Sequence, residues 1–270
     1  MNIVWLLSKI TFKQGIRSKV LYGIFFLSLA LFVSNLFITQ LFTLEIGKVA
    51  IDVGFSVLSL AGLSIVFFLG IGLLSRDIHQ KSICMVISHP ISRWQYMVGK
   101  FLGLALFLLL AVAVLGAFSA LSLWLGTLTA GGLQALRNFS WAMLTAAVLF
   151  HLLALLIILA VGFFFSVLTT SGYLTMLLTF FVYLIGNTLD TIIKVLLVGE
   201  FVRADMLFIK VLKFISWIFP NLSAFDLKTH LAYGLPYAFS NLLWLGAYGI
   251  AYISLVLFAA AAILNKKDLC

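Results

Sequence analysis

Apolar residues come in long runs along this chain, separated by short polar interruptions, and each run is about as long as a bilayer is thick. A hydrocarbon core about 30 Å across takes about 20 helical residues, and runs of that size fall at about 20–42, 53–74, 101–128, 141–167, 173–197 and 239–264. The pattern predicts an all-α integral membrane protein, six transmembrane helices in one transmembrane domain spanning 1–270. Between the fourth and fifth runs the break is Thr169-Thr-Ser-Gly172, without a single charge, which predicts a tight reversal.

Two further stretches have helical periodicity but are too polar to span. In residues 2–18, Lys9, Lys13 and Arg17 recur at i, i+4 and i+8 while Val4, Leu7 and Thr11 face away, as in a helix lying in the membrane interface. Between the fifth and sixth runs, Phe201, Phe208, Leu212, Ile215 and Phe219 share one arc and Arg203, Lys210 and Lys213 the other. That pattern predicts an outer amphipathic helical segment, stopped by Pro220-Asn221, with Asn221 and Ser223 as caps for the next helical turn.

Composition agrees with the runs. At 64% hydrophobic and 9% charged residues, the chain lies far from the usual soluble balance of about 45–50% apolar and about 25% charged. No soluble domain of ordinary size fits beside six spans. The net charge of +9 calls for no nucleic acid, because Lys and Arg concentrate on the cytoplasmic side of membrane proteins. Lys9, Lys13, Arg17, Lys19, Arg76, Lys81, Arg93, Lys100, Lys266 and Lys267 fall on one side; the two short loops opposite carry only Lys48 and Arg137. Both termini are therefore expected in the cytoplasm. Cys84 and Cys270 are too far apart for a CxxC site and read as free thiols. The first run is long enough to remain as a span, with no small-residue cleavage site after it.

Enzyme chemistry has little to stand on. There is no His-Glu-x-x-His and no Cys/His cluster for zinc, so no metal, cofactor or catalytic residue is expected. Gly62-Leu-Ser64 resembles the nucleophile site of intramembrane serine proteases, with His151 as a conceivable base, yet Ile65 stands where a Gly should come next. His151 is the one histidine inside a predicted span; with Asn187 and Asp190 near the outer end of span five, it is a candidate for a translocation path. The Gly99-Lys100 pair opens no phosphate loop, because Trp94 replaces the first Gly and Phe101 the Ser or Thr.

The polar island from Ser75 to Lys100 carries the most specific pattern. Arg76-Asp77, Lys81-Ser82-Ile83, Pro90-Ile91-Ser92-Arg93 and Gly99-Lys100 occur in the order that characterises the ABC type-2 permease family, which the chain resembles over essentially its whole length. Residues 220–228, Pro-Asn-Leu-Ser-Ala-Phe-Asp-Leu-Lys, resemble the segment before the last span in a subgroup that includes multicopper-enzyme maturation permeases. Lys81 stands where many relatives have Gly.

The resemblance implies a subunit of an ATP-driven exporter in the bacterial plasma (inner) membrane. It would work as a dimer with two copies of a separate ATPase, which holds the ATP and magnesium, and no cofactor would reside in this chain. Arg76, Asp77, Lys81, Ser82, Pro90, Ile91, Ser92 and Arg93 would form a cytoplasmic coupling helix between spans two and three. From the residues alone, Pro90 bends the island and lets its second half run straight into span three. Its cations suit an acidic partner surface or lipid headgroups. A stand-alone secondary transporter or channel, which would need ionisable residues deep in several spans, and a membrane enzyme are the alternatives.

Overall fold

The computed structural model describes residues 3–18, 22–23, 26, 29–30, 33–34, 46–79, 92–129, 140–198, 211–212, 214–216, 218–234 and 239–266. Helix α1 is Ile3–Arg17; α2, Ile46–Ser64, continues through a π-helical segment, Ile65–Ile71, into α3, Gly72–His79. Then come α4 (Arg93–Thr129), α5 (Trp141–Leu168), α6 (Gly172–Val198), a 3-10 turn (Ser223–Phe225), α7 (Lys228–Tyr233) and α8 (Phe239–Lys266). Among the described residues there is no strand.

Five helices are long and apolar enough to cross a membrane: Ile51–Asp77, Arg93–Leu121, Trp141–Leu168, Gly172–Leu196 and Phe239–Lys266. They correspond to the predicted second to sixth spans. The predicted first span, 20–42, and most of the amphipathic stretch 201–219 lie outside the described residues. The pieces described at 22–23, 29–30, 33–34, 211–212 and 214–216 are helical.

Successive spans run in opposite directions, so the bundle has two ends: one where α3 stops and α4 starts, near Asp77, and one where α6 stops, near Asp190. The core lies between α2–α3, α4, α5 and α8, with Val66, Leu69, Phe107, Leu159, Phe163 and Ala260 among its buried side chains. Phe101 and Phe163 meet edge-on at 5.7 Å. The reversal expected at 169–172 is present: Thr169 donates through its side chain to the Phe165 carbonyl at 2.9 Å and its hydroxyl pairs with that of Thr175 at 2.5 Å. With the polar groups of the turn satisfied, no charge is needed there.

Span three begins eight residues earlier than its apolar run, at Arg93. Ser92 Oγ accepts from the Gln95 amide at 3.2 Å, and the Ser92 amide donates to Gln95 Oε1 at 3.2 Å. This reciprocal capping box satisfies two amides of the first turn and lets the helix start while its sequence is still polar.

Helix α1 is placed by small residues. Its buried residues are Ser8, Thr11 and Gly15, and Lys9, Lys13 and Arg17 are exposed, as the periodicity predicts. That buried face lies along α4. A Cβ on Gly99 would sit 2.8 Å from Leu7 Cβ, and one on Gly103 would sit 2.6 Å from the Ser8 carbonyl oxygen. Gly15 in turn faces the ring of Phe107. The three contacts advance together along both helices, so α1 runs beside the start of α4 rather than crossing it at one point. Backbone approach of this kind is how helices associate without a hydrophobic drive from water.

Candidate functional site

Two polar assemblies interrupt the apolar bundle, one at each end. At the Asp77 end, the Lys100 ammonium reaches Asp77 Oδ2 at 2.5 Å, and the buried Tyr96 hydroxyl donates to the same oxygen at 3.0 Å. Lys100 also lies 5.8 Å from the centre of the Tyr96 ring. Tyr96 and Lys100 are one turn apart on α4, so both side chains converge on the carboxylate at the end of α3. About one turn before Tyr96, Arg93 donates through one terminal nitrogen to the carbonyls of Leu264 and Asn265 at 2.5 and 3.1 Å. A guanidinium there satisfies carbonyls left open at the C-terminus of α8 and complements its dipole. Three helix ends are thus tied together where the polar island joins the bundle.

Of the expected coupling residues, the structure places Asp77 and the exposed Arg76 near the end of α3 and Ser92 and Arg93 at the start of α4; Asp77 bonds Tyr96 and Lys100, whereas Arg93 bonds the end of α8. Lys81, Ser82, Pro90 and Ile91 lie outside the described residues.

At the other end is a cavity of about 810 Å³ walled by α2, α5, α6 and the segment 221–230. His151, Asn187 and Asp190, which the sequence offered separately, all line it. Helix register orders the wall into tiers. The floor is apolar, with Leu63, Leu155 and Ile158, and Tyr183 at its edge. Above it, Ser59 Oγ lies 3.4 Å from His151 Nε2, and Phe55 meets the imidazole edge-on at 6.3 Å. At the mouth, Asp190 binds Lys194 at 2.7 Å and Asp226 lies 3.6 Å from Lys228.

The mouth is built by a chain segment that folds back onto α6. The Leu222 amide donates to the Gly186 carbonyl at 3.0 Å, and the Asn221 amide to the Tyr248 hydroxyl at 3.2 Å. Gly186 is needed for this approach, because a Cβ there would sit 2.6 Å from the Pro220 carbonyl oxygen. Asn221 Oδ1 accepts from the Ala224 amide at 3.3 Å, capping the short turn as its sequence position suggested. Ser223 Oγ lies 2.8 Å from the same Asn221 oxygen and 3.3 Å from Asp190, joining the segment to the mouth.

Sequence reading missed Ser59, Tyr183, Asp226, Lys228 and His230 as lining residues. A period-four signal was present for α6, where Tyr183, Asn187, Thr191 and Lys194 share a face. The protease geometry does not assemble: the Ser64 hydroxyl donates to the Leu60 carbonyl of its own helix at 2.8 Å, and the neighbour of His151 is Ser59. Among the described residues, no three His, Cys, Asp or Glu side chains are grouped to hold a metal ion. No protein-family model and no curated protein matches the chain.

Proposed function

We propose that this chain is the permease subunit of an ATP-driven exporter of the ABC type-2 kind, seated in a bacterial plasma membrane with both termini in the cytoplasm. A dimer of the chain works with two copies of a separate ATPase, which contact the loop between α3 and α4. The observation that carries the reading is the joint between Asp77 and Lys100. These two residues open and close the ordered motif of the island, and they form a mostly buried ion pair with Tyr96. A loop whose two ends are fixed to each other transmits a push to the helices rather than absorbing it. Because α4 starts at its capping box and runs unbroken for 37 residues, displacement at Ser92 moves the whole span. The α1 helix, packed along the same stretch, moves with it.

The test is to purify the tagged chain from its own cells in mild detergent and to identify what accompanies it. An ABC ATPase is expected in the wild type, and the charge reversals Arg76→Glu and Lys81→Glu are expected to release it while leaving the chain folded. Transport by the isolated chain in liposomes, with no ATPase or nucleotide, would refute the proposal and favour the secondary-transporter alternative.

A further inference from the structure

The cavity at the Asp190 end has the layout of a site for one amphipathic molecule. Its volume, about 810 Å³, lies within the roughly 300–1,000 Å³ of small-molecule sites. From Tyr183 to Lys194, eleven residues along α6, the wall rises about 16 Å at about 1.5 Å per residue. Over that rise its character changes from aliphatic at Leu155 and Ile158, through the Ser59–His151 level, to the charged mouth.

The mouth selects by charge. Its two carboxylates and two ammonium groups stand as adjacent pairs, Asp190 with Lys194 and Asp226 with Lys228. Taken together, these four groups give the described rim no net charge but separated positive and negative groups. A head group of one sign meets as much repulsion as attraction there, whereas a head group holding both signs can face each with its opposite. The floor side chains Leu63, Leu155 and Ile158 offer no polar group to repay the desolvation of a charged or hydroxylated tail, and the Tyr183 hydroxyl stands only at its edge.

We propose that this cavity binds a single-chain amphipath with a zwitterionic head group, its tail in the aliphatic floor and its head between the two ion pairs. As a binding site the cavity stands on its own geometry; its role as the site of the transported cargo rests on the exporter reading above. A resident single-chain lipid and an exported amphipath share this chemistry.

The experiment is native mass spectrometry of the full chain at pH 8, without ATPase or nucleotide, after detergent washing. Three probes are added: lysophosphatidylcholine, anionic lysophosphatidylglycerol, and glycerophosphocholine, which has the head without the tail. One lysophosphatidylcholine per chain is expected, retained at least tenfold better than either other probe. Asp226→Asn should shift the preference severalfold towards lysophosphatidylglycerol and Lys194→Gln severalfold away from it. Both side chains are at the open rim, and opposite shifts exclude general unfolding as their cause. Equal retention of the two lipids by the wild type, or no shift in either variant, overturns the proposal. A single-chain zwitterionic lipid extracted at one per chain from the unwashed protein identifies a resident lipid; a cavity that is empty in the unwashed protein and fills only on addition favours an exported amphipath over a resident one. If the chain binds the probe but no ATPase accompanies it, the site stands and the exporter reading falls.

Discussion

The joint at the Asp77 end predicts an asymmetry between its two partners. The Lys100 side chain is 9% exposed and that of Asp77 23%. Removing one partner of a buried ion pair costs about 3–5 kcal/mol, because the survivor remains desolvated and uncompensated. The two removals are not equivalent here. After Lys100→Met, Asp77 keeps the Tyr96 hydroxyl at 3.0 Å and is open enough to recruit water; a hydrogen bond to a charged group retains about 1.5–3 kcal/mol, which leaves a loss of about 2 kcal/mol. After Asp77→Asn, the more deeply buried ammonium keeps only an amide oxygen and the face of Tyr96, and the cost is about 3–4 kcal/mol. The double replacement Asp77→Leu with Lys100→Met removes both charges and should cost less than Asp77→Asn alone. Unfolding of purified chains by a denaturing detergent reads this directly, since about 1.4 kcal/mol is tenfold in the folded-to-unfolded ratio. A larger loss for Lys100→Met than for Asp77→Asn, or a double variant whose loss is the sum of the two, would refute the reasoning.

Three other predictions test the frame. Gly103→Leu should separate α1 from α4, since even its Cβ would be 2.6 Å from the Ser8 carbonyl oxygen; overpacking of this kind costs about 1–3 kcal/mol or more. Faster trypsin cleavage after Lys9 and Lys13 checks it, and unchanged cleavage counts against the α1 contact. Arg93→Met should speed amide hydrogen exchange in the last turn of α8, where the guanidinium bonds the Leu264 and Asn265 carbonyls, with little change elsewhere. In the π-helical segment, deleting the 70% exposed Phe68 should be tolerated, because a π-helical turn holds about one residue more than an α-turn. Deleting Leu60 from the α-helical part instead rotates everything after it by about 100° and should abolish folding; equal damage from the two deletions would show that the π-segment is no relaxed insertion.

How much of the frame was legible in the sequence turned on the range of each signal. Span positions depend on local runs, and the five described spans lie where the runs put them, with the uncharged reversal at 169–172. Hydropathy alone starts the third span at about 101, because the turns from Arg93 to Lys100 carry polar residues; the Pro90 break, which lets the second half of the island run straight into the span, matches a helix that starts at Arg93. Their polarity is used inside the bundle, on Asp77 and on the end of α8, and the Ser92-x-x-Gln95 spacing shortly after Pro90 marks the helix start. In α1 the charged stripe was legible and the reason for the other face was not. Ser8, Thr11 and Gly15 look indifferent until Gly99 and Gly103 are set against them.

The cavity was the harder part, and the reason is chemical. Asp190 and Lys194 stand at i, i+4, and Asp226 and Lys228 two residues apart, spacings that in sequence look like ordinary solvated pairs. Neither pair marks a site by itself. What turns them into the rim of one is the return of residues 220–225 onto Gly186, which sets both pairs over His151 and Ser59. Gly186 is therefore the residue on which the assembly depends: it is the point where backbone meets backbone, and it contributes no chemistry of its own. A side chain there would lift the segment from α6, break the bond from the Leu222 amide, and move Ser223 away from Asp190 while leaving every charged residue in place. The polar groups that could bind a ligand are spread over four elements, and the fold, through one close approach, gathers them.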